Sequence, residues 1–136
     1  FMPAASWEYH LIASFIRANE QGTGNYLPYI PSFHLSHELA WTHQTKSHIL
    51  FRLTARHKFV AKQNRFNPAT DLIPYTPPAY HLFGAEASME CHGNKLTLTV
   101  TADNLLNREY KEYTNRSRYY AHDMGRDIRC TLNWNF

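Results

Sequence analysis

Ile128-Arg129-Cys130-Thr131-Leu132-Asn133-Trp134-Asn135-Phe136 alternates without a fault: Ile, Cys, Leu, Trp and Phe take one set of positions, Arg, Thr, Asn and Asn the other. Successive side chains of an extended strand point to opposite faces, so this stretch makes a ribbon that is apolar on one face and wet on the other. The same period recurs upstream. In Lys95 to Asp103, Leu96, Leu98, Val100 and Ala102 oppose Thr97, Thr99, Thr101 and Asp103. Ile49 to Ala61 sets Phe51, Leu53, Ala55 and Phe59 against Arg52, Thr54, Arg56 and Lys58. Tyr80 to Cys91 sets Phe83, Ala85, Ala87 and Met89 against Gly84, Glu86, Ser88 and Glu90. Phe33, Leu35, Leu39 and Trp41 stand opposite His34, Ser36, Glu38 and Thr42. Trp7 to Arg17 is less clean, because Ile12 and Ile16 fall on its polar side. The pattern predicts six strands of about 10 to 13 residues, close to the length that crosses a bilayer at a tilt, and no helix.

The connections sort themselves by length. Ala18 to Pro31, Gln63 to Ala79 and Asn107 to Arg126 are long, whereas His43 to Ser47 and His92-Gly93-Asn94 are short. Gly-Asn suits a tight hairpin turn. Long and short connections alternate strictly, so an up-and-down sheet would carry every elaborate loop at one end. Outer-membrane barrels have this asymmetry, with short periplasmic turns and longer extracellular loops.

Composition agrees. Charged residues make up 18% and aromatics 15%, against a charged share of about 25% in soluble domains. The mean hydropathy of -0.53 and the lack of a long apolar run exclude a membrane-spanning helix but not a spanning barrel, whose strands are apolar on one face only. A net charge of +3 without a block of like charges gives no reason to expect nucleic acid. Two cysteines outside any metal-like spacing predict neither a disulfide scaffold nor a metal site, and no cofactor is expected. Phe1-Met2-Pro3-Ala4-Ala5 lacks the pattern of a signal peptide, and a start one residue before Met reads as a cut.

The last third resembles the end of TonB-dependent outer-membrane receptors. Val100-Thr101-Ala102-Asp103-Asn104-Leu105-Leu106-Asn107-Arg108-Glu109-Tyr110 is similar to that family's penultimate strand and its exit, with Asn104, Leu105, Asn107 and Tyr110 as motif positions. Gly125-Arg126 and the alternating run to Phe136 look like its closing strand. Pro28-Tyr29-Ile30-Pro31 and Pro74-Tyr75-Thr76-Pro77-Pro78 are similar to its strand starts. The resemblance covers residues 28 to 136 well and the first strand by pattern alone. It implies that residues 1–136 are the C-terminal portion of an antiparallel transmembrane β-barrel, without the plug domain and the remaining strands. Barrels of that family have about 22 strands and a plugged lumen. It further implies a receptor that takes up a scarce nutrient (siderophore-iron, haem, cobalamin or glycan) with energy from TonB, in the outer membrane of a Gram-negative bacterium. The implied partners are outer-membrane lipid, the rest of the barrel and plug, TonB through that plug, and the insertion machinery. For the last of these, Phe136, Trp134 and Leu132 would serve as the assembly signal. The alternative is a small ligand-binding β-barrel, membrane or soluble, with no link to TonB.

Candidate sites are sparse, and catalysis is not expected. His34 and His37 lie three apart and point to opposite faces of a strand, so they cannot share a metal. His43 and His48 flank a short turn and face each other across it. Arg52, Arg56 and Lys58 are expected beside Glu86 and Glu90, either as a charged lining for an anionic ligand or as cross-strand ion pairs. Asp103 and Arg129 pose the same choice. Trp7, Trp41, Trp134 and several tyrosines suit aromatic girdles at the two interfaces. Ser117, His122 and Asp123 share a loop and are the one grouping with the residue types of a catalytic triad. Cys91 and Cys130, with a whole strand between theirs, are expected to be free thiols on the apolar face.

Overall fold

The computed structural model describes residues 5–91 and 95–135. Six strands form one sheet in sequence order: β1 (Ala5–Ser14), β2 (His34–Gln44), β3 (Leu50–Val60), β4 (Tyr80–Cys91), β5 (Leu96–Asp103) and β6 (Asp127–Trp134). Every neighbouring pair is antiparallel, and among the described residues no helix forms. All three long loops therefore leave from one end. The strands run from 8 to 12 residues, shorter than the expected 10 to 13: β1 stops at Ser14, β5 starts at Leu96, and β6 starts one residue early at Asp127 and ends at Trp134. Ile16 consequently lies outside β1, and only Ile12 interrupts the polar side of that strand.

The turn at residues 45–49 closes through Thr45 N–H donating to the Ile49 carbonyl (2.8 Å) and His48 N–H donating to the Thr45 carbonyl (3.1 Å). His48 carries the positive φ of 58° that so tight a reversal demands. The His43 ring stacks on Trp41 at 5.5 Å. The turn at His92-Gly93-Asn94 and the terminal Phe136 lie outside the described residues.

The register divides the residues more sharply than the sequence pattern does. Trp7, Trp41, Leu53, Ala87, Val100 and Cys130 form one row across all six strands. The face that contains this row holds no Asp, Glu, Lys or Arg on any strand. The strand charges Glu8, Glu38, Arg52, Arg56, Lys58, Glu86, Glu90, Asp103, Asp127 and Arg129 all stand on the opposite face.

A single sheet has no interior. Among the described residues the buried apolar side chains are few, with Ala40, Tyr80, Tyr113 and Pro77 the ones enclosed, while Trp7 and Trp134 on the charge-free face are 67% and 71% exposed. Isolated in water such a sheet would leave its driving force for folding unspent.

The strand ends are staggered on one side of the sheet. At the long-loop end the first four strands finish on one row, Ser14–His34–Val60–Tyr80. β5 and β6 finish level with Gly84, four residues short of it. At the other end Trp134 lies one row beyond Gln44, the last residue of β2.

Candidate functional site

The motif residues of the last third come together as a clasp. β5 runs into Asn104, whose φ of 48° turns the chain, and Asn107 repeats the turn with a φ of 50°. Both are left-handed positions that Asn tolerates better than other side chains. Asn104 is buried and works in both directions: Arg108 N–H donates to its Oδ1 at 2.8 Å, and its Nδ2 donates to the Arg108 carbonyl at 2.9 Å and the Met124 carbonyl at 3.3 Å. Arg126 N–H donates to Asn107 Oδ1 at 3.0 Å, and a Cβ on Gly125 would stand 3.0 Å from the same oxygen. Leu105 N–H donates to the Phe83 carbonyl at 2.8 Å, which fastens the exit to β4. Asn104, Leu105, Asn107, Gly125 and Arg126 thus bind the departure of the third loop to its return. Tyr110 closes the set by packing on Tyr80 with centroids 4.7 Å apart; burial and the nearby Asp123, Glu112 and Asp103 carboxylates push its phenol up.

Beneath this clasp the wet face forms a hollow of about 600 Å³ whose lining includes His10, Glu38, Arg56, Lys58, Asp103 and Tyr110. Its charges pair internally, but not with the expected partners. Register sets Ser88 opposite Arg52 and places Thr54 and Leu50 opposite Glu86 and Glu90. Arg52 therefore reaches over Thr42 to Glu8 at 3.1 Å, and Arg56 reaches over Gly84 to Asp103 at 3.1 Å. Lys58 takes Glu112 at 3.6 Å, and Glu86 accepts a hydrogen bond from Thr101 at 3.2 Å. Asp103 also holds Arg129 at 2.7 Å, and Arg129 grips Asp127 at 2.9 Å. Gly84 is what lets Arg56 cross: an added Cβ would stand 3.1 Å from the Ala102 carbonyl and 3.3 Å from Arg56 Nε.

Above the sheet the long loops lock together around a group that the sequence pattern gives no sign of. Arg118 and Asp71, 47 residues apart in sequence, meet with both side chains at 0% exposure. One Arg118 amino group donates to both Asp71 oxygens at 2.9 Å and to the Ile73 carbonyl at 2.6 Å, and Arg118 Nε donates to the Tyr75 carbonyl at 3.0 Å. Tyr113 Oη donates to Asp71 at 2.7 Å, and the guanidinium lies over the rings of Tyr113 and Tyr29 at 4.7 and 5.4 Å. Burial alone would push the Asp71 carboxyl up, but the bonds from Tyr113, the Ile73 N–H and Arg118 outweigh it and hold it below the usual range. Burial and the Asp71 carboxylate push the Tyr113 phenol up to about 12. All three long loops meet here, since Tyr29 belongs to the first, Asp71 to the second and Arg118 to the third. The signs of charge follow. Lys46, Arg52, Arg56, Lys58, Lys95 and Arg129 balance Glu8, Glu38, Glu86, Glu90, Asp103 and Asp127, so the chain's net charge of +3 resides in the long loops.

The remaining candidates separate. Asp123 accepts from the Glu112 N–H at 2.6 Å and Asn115 Nδ2 at 2.8 Å, and no hydrogen bond joins it to Ser117 or His122 among the described residues. His34 and His37 stand on opposite faces of β2, and among the described residues no group of three metal-ligating side chains converges. Cys91 and Cys130 are free; Cys91 falls in the row of Trp134, four residues along β6 from Cys130. Leu132 and Trp134 share the charge-free face with Trp7 and Trp41, and all three tryptophans lie toward the short-turn end. No family model matches the chain, and neither does any curated protein or solved structure.

Proposed function

We propose that the chain is a wall segment of an outer-membrane β-barrel, the C-terminal portion of a TonB-dependent receptor that imports a scarce nutrient. The observation that carries this is the face without a charge. On β1 to β6 every ionised side chain is on the other side, the division demanded when one face meets hydrocarbon and the other a wet lumen. The tryptophans toward one end and the sorting of the loops support the same placement. The two open edges, on β1 and β6, are where further strands would pair to close the barrel, because unpaired backbone groups are too costly in lipid. The locked loops would face outward and hold ligand with the plug, which passes it inward when TonB acts. Leu132, Trp134 and Phe136 would present the terminal strand to the insertion machinery.

Two substitutions one residue apart test the placement. In a spanning barrel, Val100→Arg puts a guanidinium into lipid and should lower unfolding stability in bilayers by about 2–4 kcal/mol, or by less toward the interface. Thr99→Arg faces the lumen and should change it little. Equal effects from the two would overturn the assignment of faces.

A further inference from the structure

The charge-free face carries one row of polar rings. Tyr9 on β1, His37 on β2, His57 on β3 and His81 on β4 lie on four consecutive strands. Tyr9 Oη and His37 Nδ1 are 2.6 Å apart, His37 stacks on His57 at 5.4 Å, and His57 Nε2 and His81 Nδ1 are 2.9 Å apart. Phe83 and Phe59 flank the row, each with a ring centroid 4.8 Å from a histidine.

An ionisable side chain on a lipid-facing surface is costly, and its retention points to a partner. The mutual contacts occupy one nitrogen of each imidazole. The other nitrogen, His37 Nε2, His57 Nδ1 and His81 Nε2, has no partner among the described residues. The titratable groups facing one another here are these three histidines and Tyr9; no carboxylate, lysine or arginine shares their side of β1 to β4. The row sits toward the long loops, which hold the net positive charge. At that end Arg65 lies 4.4 Å over the Phe15 ring, with its Nε unpaired. A metal would need more ligands than the row offers, since among the described residues no third ligating side chain converges with any pair. An anion with several acceptor oxygens suits these outward nitrogens: one of the hydrogen-bonded His57–His81 pair already carries a proton when neutral, and protonation makes the other a donor too.

We propose that this row binds the phosphate of an anionic lipid in the outer leaflet, and binds it more tightly when the imidazoles are protonated. The proposal rests on the face meeting lipid, and it adds the class of lipid and the residues that choose it.

The test uses the folded protein in detergent micelles, titrated with phosphatidylglycerol or phosphatidylcholine and read by native mass spectrometry at about pH 5.5 and about pH 8, either side of the histidine range. The variant His37→Phe/His57→Phe/His81→Phe keeps the rings and removes the nitrogens, and His57→Phe alone is the milder companion if the triple change folds poorly. At the lower pH the parent should retain phosphatidylglycerol about tenfold more strongly than the triple variant, equivalent to about 1.4 kcal/mol. The single variant should fall between them. At the higher pH that advantage should collapse, and phosphatidylcholine should be held equally by all. Equal retention by parent and variants at the lower pH would overturn the proposal, as would an advantage that survives unchanged at the higher pH. So would its abolition by Arg65→Gln with the histidines intact. A protein that never inserts, seen as a band that does not shift on heating, would instead bring down the membrane assignment itself.

Discussion

At the scale of single residues, two positions set what the rest must do. Gly84 is open because Arg56 crosses it. Gly84→Ala would thrust a Cβ against the Ala102 carbonyl and the Arg56–Asp103 pair. The backbone cannot yield as a flexible side chain does, so we expect a loss of about 1 kcal/mol or more, read by urea unfolding in detergent. Arg118 is the opposite case, a cation wholly buried on Asp71. Removing one partner of such a pair typically costs about 3–5 kcal/mol. Arg118→Ala should release the three loops together, measured as faster protease cutting near Asp71 and Tyr29 while the strands stay protected. The pair also sets a pH window. Asp71 sits below its ordinary value, so its contribution is complete above about pH 4 and drains away as pH falls through the depressed value. Tyr113 sits above its own, so its contribution holds to about pH 10 and is lost as pH rises through about 12. Loop proteolysis should therefore be flat between these limits and accelerate beyond each. Asn104, Asn107 and Gly125 stood out in the sequence only as positions of the family resemblance; their left-handed turns and clasp bonds come from the structure. The Arg118–Asp71 anchor was not legible at all, since nothing local couples residues 47 apart.

At the scale of elements, period-2 alternation found all six strands and their faces, because side-chain alternation is a property of the extended backbone itself. It overran their ends, where loop hydrogen bonds compete with the ladder. Partners across the sheet were missed for a related reason: a change of register by one or two residues decides whether Arg52 meets Glu90 or Glu8, and register is not written in either strand alone. The histidine row was recoverable in principle, since His37, His57 and His81 fall on the apolar set of their strands. Loop sorting makes a separate prediction about sides. In intact cells, with Cys91 and Cys130 replaced, Tyr120→Cys should react with an impermeant thiol reagent from outside, because Tyr120 is 86% exposed on the third long loop. Lys46→Cys, on the short turn, should be protected until the outer membrane is opened. Equal labelling would put both ends on one side.

At the scale of the whole molecule, a one-layer sheet with a charge-free face and two open edges is half of an arrangement. Lipid would cover the face and further strands the edges, and only with both would apolar burial be enough to hold the fold. The chain supplies its own probes, since Trp7, Trp41 and Trp134 all stand on that face. The decisive measurement is quenching of these three, kept as the remaining tryptophans of the folded protein, by lipids brominated at graded depths along the acyl chain. Meeting a bilayer near one interface, they should be quenched most by bromines just below the headgroups and little by aqueous iodide. Strong quenching by iodide with none from the brominated lipids would show the face in water, and would contradict the assignment of the chain to a membrane barrel.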